Sequence, residues 1–243
     1  NAQAVIDDGA VAFDLGTWTY TLEQAGTGGA SSLVIGRQSG FSPLLNVTGG
    51  YLTLESCTLA TLAGGNGSLI VKDLGTTWLN RGEFHIGAMG YGYASFENGA
   101  VINSFSNVLL GVDTDGTDSG HGLVDLSGVS GQPTVWTIGD DSVYSSDLHA
   151  GYYGQGMISI GAYSTLSMKE HVVDDDGNRS SGWVRLGTQA GSSGSVYVNG
   201  EEAHFDVEHS PVIVGESGDG DLHVLGGGQM WMGDGELWVA YNA

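Results

Sequence analysis

The sequence predicts an all-β fold, a single-stranded parallel β-helix (β-solenoid). A recurring motif, alternation with a period of two, and the interval between motif copies support this prediction. The motif is three mostly apolar residues closed by glycine, and each copy leads through a small glycine-rich loop into a second alternating segment. Its four copies lie at 33–36, 84–87, 148–151 and 212–215. Recurrence of this kind favours function on an extended surface over chemistry in one pocket.

The interval between copies favours a solenoid over a sandwich or a barrel. It is 64 positions from Gly87 to Gly151 and 64 again from Gly151 to Gly215, but 51 from Gly36 to Gly87. A β-helix rung takes about 20 residues. We therefore expect three rungs per 64-residue repeat, and one rung fewer or tighter loops in the first interval. The chain is predicted to form one domain, 1–243, in which 1–29 is an N-terminal cap or the first rungs and 30–243 are the repeats.

Short alternating segments bounded by Gly, Asn, Asp or Ser are typical of strands separated by tight turns. The clearest are 68–71, 122–126, 195–198 and 229–232. Glycine occurs 43 times without the period of collagen, and 40% of the residues are hydrophobic, which is ample for a continuous core.

Aromatic residues recur at similar positions ahead of the glycine motif. They are Trp18, Trp78, Trp136 and Phe205. We favour an inward-facing stack that packs from rung to rung, and a row of carbohydrate-stacking platforms is the alternative.

The charge balance narrows the choice of partners. Six Lys and Arg residues against 28 Asp and Glu residues give a net charge of −22, which disfavours nucleic acid and anionic membrane surfaces. No apolar run is long enough for a transmembrane helix, so membrane insertion is not expected. The single cysteine, Cys57, lies in an alternating apolar segment and is predicted to be a buried structural thiol.

The repeats resemble those of autotransporter passenger domains and PEP-CTERM-associated surface proteins. The resemblance is carried by a Gly-Ser strand ending near Trp78, an apolar-Gly turn, a Gly-x-Gly loop, and a strand closed by Asn-Gly-Ala or Gly-Gly. These features lie in 67–78, 86–100, 194–198 and 214–228. The resemblance implies a right-handed parallel β-helix that is exported, located outside the cell or on the bacterial surface, and adhesive or architectural.

Two acidic turns, 113–118 and 174–178, are the candidate metal sites. Oxygen ligands on alternate residues followed by glycine are typical of the first half of a calcium loop. The twelfth positions are Val124 and Arg185 rather than Glu, which excludes an EF-hand and leaves loose Ca²⁺ binding or a solvated turn. The proposed ligands are Asp113, Asp115, Asp118, Asp174, Asp176 and Asn178. A third acidic cluster, 216–221, falls in a repeat turn.

His85 and His149 occupy the same position in successive repeats. Three rungs of about 4.8 Å would place them roughly 14 Å apart, too far to share one zinc ion. We expect surface or half-buried strand residues.

Catalysis is the less favoured hypothesis. No nucleophile elbow, P-loop or dinucleotide motif is present, and the six basic residues are dispersed, whereas a lyase acting on uronate chains needs cationic subsites. We predict a non-catalytic structural or adhesive protein. A polysaccharide lyase or glycosidase is the alternative, since β-helices host both.

The two ends suggest self-association. The segment 4–13 is apolar enough for a strand or a cap, and 236–243 resembles the strand of a new rung. Either the chain is part of a longer passenger, or copies stack head to tail into a filament. The expected partners are therefore a second copy, or a glycan or other cell-surface ligand.

Overall fold

The computed structural model shows a parallel β-solenoid with three faces, and no helix occurs in the part of the chain that it describes. Strands are parallel except in one small hairpin. The described residues are 3–6, 10–14, 19–21, 32–37, 39–40, 42–112, 120–139, 146–169, 171–172, 179–180 and 182–240.

The strands are short because glycine and polar turn residues interrupt the alternating segments. In chain order they are β1 (Gln3–Ile6), β2 (Ala10–Asp14), β3 (Thr19–Thr21), β4 (Ser32–Ile35), β5 (Leu44–Leu54), β6 (Ser56–Leu59), β7 (Asn66–Asn80), β8 (Phe84–Ile86), β9 (Tyr91–Glu97), β10 (Val101–Ser104), β11 (Val108–Leu110), β12 (His121–Ser127), β13 (Thr134–Ile138), β14 (Leu148–Ala150), β15 (Gln155–Ile160), β16 (Ser164–Met168), β17 (His171–Val172), β18 (Arg179–Ser180), β19 (Val184–Leu186), β20 (Ser193–Asn199), β21 (Ala203–Asp206), β22 (Val212–Val214), β23 (Asp219–Leu225), β24 (Gln229–Trp231) and β25 (Leu237–Val239).

Each turn of the solenoid, or rung, contributes a strand to each of three faces. Face A is the sheet β1-β4-β6-β8-β11-β14-β19-β22-β25. Face B contains β2, the first parts of β5 and β7, and then β9, β12, β15, β20 and β23. Face C contains β3, the second parts of β5 and β7, and then β10, β13, β16, β21 and β24. The chain thus passes from A to B to C and back to A, as a single-stranded β-helix requires.

The predicted number of rungs per repeat is wrong. The motif copies end β4, β8, β14 and β22, and β6, β11 and β19 lie between them on face A, so each repeat holds two rungs rather than three. A rung therefore takes about half of the 64-residue interval. In every described rung from β4 onward, the residue directly after the face-A strand has a φ between 53° and 78°. The intermediate rungs end in Ala60, Gly111, Gly187 and Ala240, and the predicted count is wrong because a rung is longer than the assumed length of about 20 residues.

The recurring aromatics point inward, which confirms the core-stack interpretation for the three that the structure describes. Trp78, Trp136 and Phe205 are completely buried. In the register of face C they alternate with aliphatic residues, and this alternation repeats every two rungs. The inner column reads Trp78, Ile102, Trp136, Leu166, Phe205, Met230. The indole N–H of Trp136 donates to the Ser104 hydroxyl at 3.1 Å, which satisfies its only polar group inside the core.

A column of glycines lines the corner between faces A and B. Its members pair with one another from rung to rung: Gly67, Gly92, Gly122, Gly156, Gly194 and Gly220. A Cβ on Gly156 would lie 2.1 Å from the backbone nitrogen of Gly151, and one on Gly194 would lie 1.9 Å from the carbonyl oxygen of Ala150. Backbone therefore packs directly on backbone at this corner, and any side chain would separate the two faces.

Cys57 lies on the inner side of face A and is completely buried. Burial raises the pKa of its thiol far above the ordinary value. The prediction of a structural thiol is confirmed, since a buried neutral thiol is a poor nucleophile.

Candidate functional surfaces

The six predicted calcium ligands, Asp113, Asp115, Asp118, Asp174, Asp176 and Asn178, lie outside the described residues. The third acidic cluster is described, and its carboxylates diverge. Glu216 lies beside Arg185 at 3.6 Å, whereas Asp219 and Asp221 belong to a strand of face B. Within the described part of the chain, no three His, Cys, Asp or Glu side chains converge on a possible metal position.

His85 and His149 lie two rungs apart on the outer side of face A, with Leu109 between them. Their separation is therefore about 9.6 Å, twice the strand spacing, rather than the predicted 14 Å. The two imidazoles are still too far apart to share one zinc ion. His85 lies 3.0 Å from Glu83.

His149 is held in a buried polar cluster. Its Nδ1 lies 3.1 Å from the hydroxyl of Thr188, its ring meets the edge of Tyr152 at 4.8 Å, and its Nε2 lies 3.6 Å from Asp147. The expectation of a surface or half-buried strand residue is wrong for His149, because only 6% of the residue remains exposed. These contacts fix the ring, so the imidazole serves the structure of face A.

Asp147 links three successive rungs. Its backbone N–H donates to the side-chain oxygen of Asn107 at 2.9 Å, and its carboxylate accepts the backbone N–H of Trp183 at 2.8 Å. Burial alone would raise the pKa of Asp147, but its interaction with His149, the backbone hydrogen bond from Trp183 and the nearby charge of Arg185 outweigh it, so the pKa is lowered.

Two tryptophans and an arginine form an aromatic cluster further along face A. The Arg185 guanidinium lies 5.0 Å from the ring centre of Trp183, and Trp183 meets the edge of Trp238 at 5.4 Å. Ile213 points outward between Arg185 and Trp238 in the register, yet only 1% of it is exposed. The cluster therefore forms a second small apolar core outside the solenoid. Sequence reasoning missed it because its members come from three different rungs.

At the C-terminal end of the described chain, the core of the solenoid is open. The last strands, β23, β24 and β25, each pair with a strand of the preceding rung. No described strand pairs with their other edge. Inward-pointing Val224, Leu237 and Val239 are 42%, 47% and 68% exposed. A hollow of about 450 Å³ lies at the A–B corner, lined in part by Gly215, Gly220 and Val239. One rung earlier, the backbone of β23 fills the corresponding space against Gly187.

None of the described segments is a helix with the length and apolarity needed to cross a bilayer.

These features define a parallel β-solenoid whose surfaces are built rung by rung. No protein-family model matches the sequence, and no solved structure matches it. The chain is similar to an uncharacterized lipoprotein, YdeK, of Escherichia coli (strain K12). The two are 27% identical over 178 residues, which cover 69% of this chain and 11% of the lipoprotein. The chain thus corresponds to about a tenth of the length of that relative.

Proposed function

We propose that this chain is a non-catalytic structural and adhesive module of a cell-surface β-solenoid. The observation that carries the proposal is the uninterrupted stacking of rungs. Such stacking produces a long, rigid surface, on which binding groups repeat at the strand spacing of about 4.8 Å.

An extracellular or cell-surface location is supported by the fold and by the similarity to a lipoprotein. The net charge of −22 is compatible with high solubility outside the cell. The resemblance to passenger and PEP-CTERM-associated repeats supports the same location.

The proposal that the chain is non-catalytic is supported by the contacts of its titratable side chains, which join neighbouring rungs. The pKa of Tyr93 is raised, chiefly by burial, and its hydroxyl donates to Asp125 at 3.1 Å. The pKa of Tyr163 is raised chiefly by its hydrogen bond to Glu201. Together with Asp147, these groups bridge neighbouring rungs, Tyr93 from face B and the other two from the turns before β16 and β14. Their shifted pKa values thus have structural causes.

Head-to-tail association is the mode of assembly that the open edge supports. The strands β23, β24 and β25 expose core residues, and such an edge is a template for another strand, either of a further rung in a longer chain or of a second copy. A contact between two different ends is heterologous, so repeated contacts build a filament.

Negative-stain electron microscopy and analytical ultracentrifugation of the purified chain test this assembly. We expect filaments or concentration-dependent oligomers. We expect Val239→Lys to abolish them, because it places a charge in the open core. The matched control is Val101→Lys, which changes an exposed valine in the middle of face C and leaves assembly intact. A wild-type chain that stays monomeric at high concentration would refute head-to-tail assembly, and release of reducing sugar from a polysaccharide would refute the non-catalytic role.

Calcium binding by the acidic turns 113–118 and 174–178 remains a prediction. Isothermal titration with CaCl₂ should show weak binding that is reduced when Asp113, Asp115 and Asp118 are changed together to Ser. The control changes Asp219 and Asp221 to Ser, which lie on face B outside both turns. Equal heats from both variants would contradict a site in the first turn.

A further inference from the structure

A hollow of about 260 Å³ lies on the outer side of face B, in the middle of the solenoid. Two columns of outward-pointing side chains border it. Within a column, each residue pairs in the strand register with the equivalent residue of the next rung. The residues that matter are Tyr91, His121, Gln155 and Ser193 in one column and Met157 and Ser195 in the other. The first column shortens from Tyr91 to Ser193, and the second runs from Leu123 through Met157 to Ser195, so both columns reach their shortest side chain at a serine.

The chemistry of this hollow differs from that of the rest of the surface. Tyr91 is 46% exposed and Met157 is 38% exposed, so both present apolar area to solvent. Gln155, Ser193 and the imidazole of His121 supply hydrogen-bond donors and acceptors between them. Among the described residues, no Asp, Glu, Lys or Arg lines the hollow, although the chain carries 28 acidic side chains.

We propose that this hollow binds a neutral saccharide chain running along the solenoid axis. The proposal rests on the adhesive function proposed above, for which it names the ligand class. The ring of Tyr91 offers a face to the apolar side of a sugar ring, and the amide and hydroxyl groups suit sugar hydroxyls. Polar groups repeat at the rung spacing of about 4.8 Å, which is close to the length of one sugar unit in an extended glycan.

Charge and size argue for a neutral glycan over other occupants. The next residues of the two columns are Asp219 and Asp221, so a uronate or sialylated chain would meet repulsion one rung further on. With a volume of about 260 Å³, the hollow is too small to enclose more than a short stretch of a ligand chain. A few sugar units match the hollow in size.

Affinity electrophoresis in native gels tests the proposal. The gels contain a β-1,3-glucan, a mannan, a galactan or polygalacturonate. We expect at least one of the three neutral polymers to retard the chain, and Tyr91→Ala and Gln155→Ala each to weaken that retardation at least tenfold. Tyr91→Phe should retain it, because the ring is preserved. Trp231→Ala is the matched control, since Trp231 is an aromatic that is 65% exposed on face C, outside the hollow.

Three results would overturn the proposal: no retardation by any neutral polymer, retardation by polygalacturonate alone, or an equal loss in Trp231→Ala and Tyr91→Ala. Circular dichroism of each variant identifies any loss of retardation that is caused by unfolding. If Tyr91→Ala is unfolded, the retardation of Tyr91→Phe decides whether the aromatic ring binds the polymer. A reducing-sugar assay on the same samples separates the two proposals. Sugar release would refute the non-catalytic function while leaving binding at the hollow in place, whereas absent retardation with no sugar release would refute the hollow alone.

Discussion

At Gly156, a hydrogen atom in place of a side chain allows face B to approach the turn that ends face A. The backbone at this position does not require glycine, because its φ lies outside the left-handed region. Space requires it, since a Cβ would lie 2.1 Å from the nitrogen of Gly151. Gly131 is the opposite case, with a φ of 79° and open space around it.

We therefore expect Gly156→Ala to cost more stability than Gly131→Ala. The first substitution forces two layers of backbone apart, a form of overpacking that costs about 1–3 kcal/mol or more. The second adds only the left-handed strain of about 1 kcal/mol. Urea denaturation followed by circular dichroism measures both. Equal losses would show that conformation, rather than space, selects glycine at the corner.

Asp147 should make stability depend on pH. Its pKa is lower in the folded chain than in the unfolded one, so its contribution is present above the unfolded value near 4 and is lost as pH falls through the folded value. Asp147→Asn should destabilise the chain by about 1–2 kcal/mol at pH 7. This deficit relative to wild type should shrink below about pH 4.

Thermal melts between pH 7 and pH 2.5 provide the test for Asp147. Asp219→Asn is the control, because Asp219 is an exposed residue on face B. A deficit of the same size at every pH would mean that Asp147 acts through its shape rather than its charge.

At the scale of elements, the inner column of face C alternates large and small side chains. Leu166 lies between Trp136 and Phe205 in the register, and all three are completely buried. Because the rungs are only about 4.8 Å apart, the aliphatic side chain provides the room that the two aromatic rings need.

Leu166→Trp should therefore overpack the column and destabilise the chain by about 1–3 kcal/mol or more. Leu166→Met, which nearly conserves volume, should cost less than about 1.5 kcal/mol. The midpoints of urea unfolding compare the two. If tryptophan were tolerated as well as methionine, the alternation would have no packing role.

The grouping of rungs in pairs also explains which features of the fold the sequence could predict and which it could not. Strand type, parallel stacking and the inward direction of Trp78 and Trp136 follow from local pattern and recurrence. The rung count does not, because the repeated unit is a pair of rungs and each rung is longer than the roughly 20 residues assumed from the sequence. Surface sites were the least predictable, since Trp183 and Trp238 meet only through the stacking of strands far apart in the chain.

At the scale of the whole molecule, net charge opposes the head-to-tail association that we propose. Every copy carries a charge of −22, so copies that meet end to end repel one another over the Debye length, about 10 Å at 0.1 M salt. Apolar contact between the ends must overcome this repulsion.

Assembly should therefore increase with ionic strength. Sedimentation velocity at 20 mM and 300 mM NaCl should show a larger fraction of oligomers at the higher concentration, and Val239→Lys should stay monomeric in both. Oligomers that dissociate as salt rises would indicate association through ion pairs instead of the apolar end.

The paired rungs also limit how the length of such a protein can change. Removing one rung would bring Trp136 against Phe205 or leave two aliphatic side chains in contact, whereas removing two adjacent rungs would restore the original order of sizes. Duplication or loss in multiples of two would preserve packing, so the length of this solenoid is expected to change in steps of two turns.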